Sequence, residues 1–202
     1  MRNEDQRTVA LADYIRARPG FTFVERQPTH QHMGATIAEA ILQSGMRYHA
    51  QVVPRVAAII AAYPEATTSE AFLCVLVAHT PQKVIAINGR KAAYMLALTQ
   101  FLAEAALATE ADLRRWLEEA ANAHKLLAIK GVGPKTISYL RLLVGSPTAV
   151  AVDTRLRAFL HQANIATTGY DDTVAVVVAA AALLGVTPAT LDASIWLDAD
   201  RR

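Results

Sequence analysis

The sequence predicts an all-α protein, long enough at 202 residues for one thick domain or two small lobes. Three observations carry that expectation. Alanine and leucine dominate a chain that is 53% hydrophobic and holds only 9 glycines in 202 residues, a composition of good helix formers. Apolar residues recur at helical spacing, whereas strand-type alternation fades within a few positions. Cap and stop signals follow one another closely, which gives about ten helices joined by short turns.

Taken in order, residues 5–17 read as a short amphipathic helix that Pro19-Gly20 stops. Residues 21–34 are polar and hold Pro28, His30, His32 and Gly34, and are expected to form a connecting loop. A helix should follow over 35–43, ending near Gly45. The next runs over 49–63, with Pro54 tolerated in its first turn. Thr67-Thr68-Ser69-Glu70 offers a cap and a first-turn carboxylate for a helix through Ala78. Asn88-Gly89 marks a turn before a helix over 91–107. Thr109-Glu110-Ala111-Asp112 has the capping-box spacing, with aspartate where glutamate is preferred, and opens a helix carrying Leu113, Trp116 and Leu117. Two more helices follow, one after Asp171-Asp172 and one at Thr187-Pro188, with threonine as cap and proline at the first helical position.

Several function classes are excluded at this level. Cys74 is the only cysteine, so one chain forms neither an internal disulfide nor a four-cysteine iron–sulfur site. It sits in the run Phe72-Leu73-Cys74-Val75-Leu76-Val77 and is expected to be a buried helix residue in a reduced setting. The stretch from Met1 to Arg7 is polar, unlike a secretory signal. The longest apolar run, 174–186, has 13 residues, short of the roughly 20 that span a bilayer. A cytoplasmic protein, nucleoid-associated if bacterial, is the expectation.

The formal net charge is only +2, but the charge is unevenly placed. From Lys125 to Leu160 the ionisable side chains are Lys125, Lys130, Lys135, Arg141, Arg155 and Arg157 against Asp153 alone. A locally basic segment in an otherwise acidic chain suits phosphate attraction, and would also suit a plain solvated helix face. Within it, an apolar helix ends at Lys130 and Gly131-Val132-Gly133-Pro134 precedes Lys135. Two glycines permit positive φ and close approach of another backbone, and a proline in the first helical turn leaves the following amides free. Such a helix start is an anion site, here flanked by Lys130 and Lys135, with Val132 packed inside the turn. The same residues would also serve an ordinary reversal between two helices.

Asp153 lies 18 positions after Lys135, beyond a Gly145-Ser146-Pro147 loop and the apolar run Val150-Ala151-Val152. It caps a new helix on either reading. If it shares a cleft with Lys135, the pair is suited to attack at a sugar carbon. The amine needs a pKa lowered by desolvation or nearby cations, and the carboxylate stabilises developing positive charge or moves protons.

Gly131-Val132-Gly133-Pro134-Lys135-Thr136, followed at this spacing by Val152-Asp153-Thr154, resembles the signature of the helix-hairpin-helix DNA glycosylase superfamily, in its endonuclease III-like form. The likeness is clearest over 126–160. It implies two helical lobes with the hairpin at the cleft between them: a central lobe over 36–147, and a second built from 1–35 and 148–202. It implies Lys135 as nucleophile and Schiff-base lysine, Asp153 as the essential carboxylate, and Lys130, Gly131, Val132 and Gly133 as contacts to the DNA backbone. Ile41-Leu42-Gln43-Ser44-Gly45-Met46 resembles the family's helix end and gap-filling loop. Gln43 or Met46 would then fill the space left by an extruded base, and Tyr48 and His49 would line the base pocket. The C-terminal stretch lacks the family's cysteine cluster, so no iron–sulfur cofactor and no metal are expected.

The resulting expectation is a monomeric base-excision glycosylase acting on double-stranded DNA with a damaged or mismatched base. It would cleave the N-glycosidic bond and, through a lysine Schiff base, carry abasic-site lyase activity. Two alternatives stay open: a glycosylase without lyase activity, and a non-catalytic hairpin that only clamps DNA.

Overall fold

The computed structural model describes residues 3–25 and 29–200. Met1, Arg2 and the loop residue Pro28 lie outside them. The protein is all-α: twelve α-helices and one π-helical turn are found among the described residues, and no strand. Backbone contacts divide the chain into two compact units, one from Met1–Gln27 with Ser146–Arg202, the other from Pro28–Gly145.

The second unit is organised around helix α2 (Met33–Leu42), all ten residues of which are buried. Apart from Thr36 and Glu39 its side chains are small or apolar all round, so it has no polar face to turn to solvent and is enclosed. Helices α3 (Val53–Ala62), α4 (Ser69–His79), α6 (Arg90–Glu104) and α9 (Pro134–Leu143) pack against it. Phe72, Leu76, Met95, Leu98, Leu102, Leu113, Leu126 and Leu140 complete its core. α2 starts two residues earlier than its sequence pattern indicates because His32 acts as its cap. The Nδ1 atom accepts from the Ala35 N–H at 3.0 Å while Nε2 donates to the Tyr63 carbonyl at 2.9 Å.

Three local details depart from expectation. The helix expected over 49–63 opens as a π-helical turn, Tyr48–Val52, and becomes α-helical only at Val53, with Pro54 in the first α-helical turn. A five-residue helix α5 (Pro81–Ile85) fills the segment before Asn88. Cys74 is helical but exposed: Ser69, Phe72, Val75 and Leu76 form the buried stripe of α4. The helical period turns Cys74 and Val77 away from that stripe. A continuous apolar run therefore concealed which face was inner.

The capping box at Thr109 is present, opening α7 (Glu110–Glu118). Asp112 N–H donates to Thr109 Oγ1 at 3.2 Å and Thr109 N–H to Asp112 Oδ2 at 3.0 Å. Aspartate thus completes the motif despite its shorter side chain. α8 (Ala120–Leu127) then leads to the turn before α9.

In the first unit, α1 (Asn3–Ala17) packs on α11 (Tyr170–Leu184), and α10 (Thr154–Gln162) and α11 on α12 (Pro188–Asp200). Leu11, Ile15, Leu156, Phe159, Val177, Leu191 and Ile195 are its core. Arg7 donates two bonds of 2.9 Å to the Asp172 carboxylate, and Arg18 reaches Asp198 at 2.7 Å while stacking over Phe159. Thr187 caps α12, accepting from Thr190 N–H at 3.1 Å. No single helix among the described residues is long and apolar enough to cross a membrane.

Candidate nucleic-acid interface

The basic segment forms a tight reversal between α8 and α9. α8 ends at Leu127, three residues before the expected end at Lys130, and Ile129 and Val132 N–H groups close short turns onto Leu126 and Ile129 carbonyls, each at 3.0 Å. Val132 is turned inward, at 6% exposure. Gly131 adopts φ +91°, and a Cβ there would lie inside the Tyr94 ring. Glycine is therefore required twice over, for the dihedral and for the contact. Gly133 differs from expectation: it is extended (φ −115°, ψ 179°) with open space around it. The close approach made by the turn is to an aromatic ring, not to another backbone, and only the first glycine serves it.

Gly133 is also the N-cap of α9, so no side chain caps that helix, and Pro134 follows where a missing N–H costs nothing. The first intrahelical bond runs from Ile137 N–H to the Gly133 carbonyl at 3.0 Å. The amides of Lys135 and Thr136 precede it, at the positive end of the helix dipole. Lys130 is exposed and Lys135 half-buried. Neither forms a salt bridge among the described residues.

A second lysine stands beside the first. Lys91 donates to the Ile41 and Ser44 carbonyls at 2.8 and 2.6 Å, which ties α6 to the end of α2. Burial holds its ammonium below the ordinary lysine value, and the charge of Lys135 pushes the same way. Two cations within Coulombic range, with no acid paired to either, are costly in an isolated protein and favourable beside an anion.

Asp153 belongs to the other unit and caps α10, its Oδ1 accepting from Leu156 N–H at 2.9 Å. The expected helix start is therefore present. Among the described residues its second carboxylate oxygen accepts no hydrogen bond, and the residue is half-buried.

The segment after α2 is distributed among different roles. Gln43 is the C-cap of α2 and turns back to the Ala40 carbonyl at 3.3 Å. Met46 packs partly on the core. His49 is exposed and meets the Tyr48 ring edge-on at 5.2 Å. Tyr48 points inward, donating its hydroxyl to Glu39 Oε1 at 3.0 Å.

Glu39 is the residue that sequence reasoning missed. It lies in the middle of α2 at 3% exposure and also receives Tyr139 Oη at 2.7 Å and His30 Nε2 at 2.6 Å. Burial alone would raise its carboxyl, but the bonds from His30, Tyr139 and Tyr48 together with the nearby His30 charge outweigh it and hold the group below the ordinary carboxylate value. One signal was available: Glu39 is the sole charge in an otherwise apolar helical run, 35–42.

Beside the hairpin lies a cavity of about 700 Å³, lined by Met46, Gln51, Arg55, Ala86, Ile87, Asn88, Arg90, Lys91 and Tyr94. Tyr94 is the wall it shares with the hairpin, since the same ring covers Gly131. These residues come from two separate stretches of sequence, 46–55 and 86–94, and no spacing rule brings them together. No group of three or more His, Cys, Asp or Glu side chains suited to a metal ion occurs among the described residues.

The class defined by these features is an all-α protein with a basic, glycine-turned helical reversal. The chain belongs to the family described as a domain of unknown function, DUF8548, which matches residues 79–200. The matched region contains the hairpin, Lys91, Lys135 and Asp153, and stops short of Glu39. No curated protein matches the chain.

Proposed function

We propose that this protein is a DNA N-glycosylase with abasic-site lyase activity, in which Lys135 is the nucleophile and Asp153 the assisting carboxylate. The observation that carries the reading is the start of α9: a helix without a side-chain cap, entered through Gly131 and Gly133 and flanked by Lys130 and Lys135. Amides at an uncapped helix start suit a DNA phosphate, and the lysine follows one residue after the proline.

Chemically, an extruded nucleotide presents its sugar C1′ to the Lys135 amine. The new N–C1′ bond forms as the C1′–base bond breaks, and the base leaves with the electron pair and takes a proton. Opening of the sugar ring gives a Schiff base between Lys135 and C1′. Loss of a C2′ proton then expels the 3′-phosphate and breaks the strand. Asp153 stabilises the positive charge that develops at the sugar and relays protons. The amine attacks in its unprotonated form. The reading requires Lys135 and Asp153 to reach the same sugar.

Borohydride trapping on a duplex with one abasic site tests it. A covalent adduct should form with the wild type and disappear in Lys135→Ala. Asp153→Asn should lower base removal by a hundredfold or more, on the order expected for a lost acid–base group. Absence of any adduct would remove the lyase step.

A second reading has an observation of its own. Asp153 is already used as the α10 cap, which a DNA clamp without catalysis would need for folding alone. Under that reading Asp153→Asn binds DNA unchanged, and no base is released by any form of the protein.

A further inference from the structure

The cavity beside the hairpin is charged in a way the folded chain does not answer. Arg55, Arg90 and Lys91 line it, and no acidic side chain does. Arg55 donates from one terminal nitrogen to the Gln51 carbonyl at 2.8 Å, while its Nε is buried without a hydrogen-bond partner. A buried donor left unmade is costly; the donors a ligand would use are those of the two terminal nitrogens, which carry four N–H groups, one of them given to Gln51. Lys91 spends two of its three N–H bonds on carbonyls and keeps one. Arg90 is exposed at the rim.

Of the remaining walls, Met46, Ala86, Ile87 and Tyr94 are apolar or aromatic, and Gln51 and Asn88 are polar and uncharged. At about 700 Å³ the space is far larger than an inorganic anion and falls in the range of sites for small organic ligands. A lining that combines three cations with apolar and aromatic side chains suits a phosphate attached to a planar heterocycle.

We propose that this cavity is a nucleotide-phosphate pocket, with Arg55 and Arg90 holding the phosphate and Tyr94, Ile87 and Met46 taking the attached nucleoside. Guanidinium groups favour phosphate because their planar donors match two oxygens at once. The pocket has two possible sources for that ligand, a strand of DNA lying along the hairpin or a free nucleotide. Its identification with a DNA strand rests on the function proposed above, and its phosphate chemistry does not.

The test uses the full chain and two probes. Binding of a lesion-free 12-base-pair duplex is measured across potassium chloride concentrations for wild type, Arg55→Ala, Arg55→Lys and Arg90→Ala. Thymidine 5′-monophosphate is titrated separately while the Met46 methyl resonance is followed. If the ligand is a DNA strand, Arg55→Ala and Arg90→Ala each weaken duplex binding about tenfold and reduce the salt slope by about 0.9. Arg55→Lys keeps the slope, which separates loss of charge from loss of fold. If the ligand is a free nucleotide, the monophosphate shifts the Met46 methyl in wild type and not in Arg55→Ala, while the duplex slope is unchanged. A slope and a methyl resonance that both ignore the arginines overturn the pocket. Trapping and slope are independent readouts: failure to trap with the slope effect intact removes the lyase and leaves the pocket standing. A trapped adduct with neither pocket signal does the reverse.

Discussion

Within one unit of this protein a buried anion and a group of cations are treated in opposite ways. Glu39 is enclosed by α2 and its neighbours, and His30, Tyr48 and Tyr139 all direct donors to it. Among the described residues Arg55, Lys91 and Lys135 receive no carboxylate, and the charge of Lys135 adds to the cost of holding Lys91 charged. The same contrast separates two helix starts. α10 is capped by its own Asp153, whereas α9 begins at Gly133 with no side-chain cap. A polar group satisfied internally serves stability, and one left unanswered is available to a ligand. The unanswered groups share a sign and gather around the hairpin.

Removing the satisfied anion should have the largest effect. Glu39→Ala leaves two tyrosine hydroxyls and His30 facing a void, and is expected to cost about 3 kcal/mol in urea denaturation. Equal stability of this variant and the wild type would break the comparison. Gly131→Ala comes next, at about 2 kcal/mol, from the strained dihedral and the Tyr94 ring together. Gly133→Ala should cost no more than about 1 kcal/mol, the difference between glycine and alanine as a cap.

Acid provides a test of the same group without mutation. The folded carboxyl of Glu39 lies below its ordinary value, so its stabilisation is complete above the unfolded value near about 4.3. That contribution is lost as pH falls through the lower folded value. Unfolding midpoints measured from pH 6 downward should therefore fall less steeply for Glu39→Gln than for wild type, and parallel curves would count against the ionised nest.

Smaller effects sharpen the contrast between the helix starts. Asp153→Ala should cost about 1 kcal/mol through loss of the cap, and Asp153→Asn only a few tenths. Asparagine thus preserves the fold while removing the charge, which makes it the informative variant for activity. Lys135→Ala should change stability by less than about 0.5 kcal/mol, and in the favourable direction if relief of Lys91 dominates. A clear loss of stability would mean that Lys135 serves the fold.

Much of this protein was legible without coordinates because its signals are local. Thr109 with Asp112, Thr187 with Pro188, and Asp153 before its helix each act within one turn of backbone, so a few adjacent residues suffice to state them. The turn at 131–134 belongs in the same group. Cys74 shows where local signals end: a fully apolar run carries no information on which side of the helix faces inward. The π-helical turn at Tyr48 was likewise invisible, since it lies between two segments that both read as helix.

The sequence by itself determined the all-α class, most helix starts, and the basic, glycine-turned segment that ends in Lys135. Tertiary structure decided that Gly131 rather than Gly133 bears the close contact, that Glu39 is enclosed by residues from 30, 48 and 139, and that Arg55, Arg90 and Lys91 face one cavity. The physical reason is range. Capping and backbone dihedrals are settled by neighbours in the chain, whereas the partners of a buried charge and the walls of a cavity are brought together only when distant helices pack.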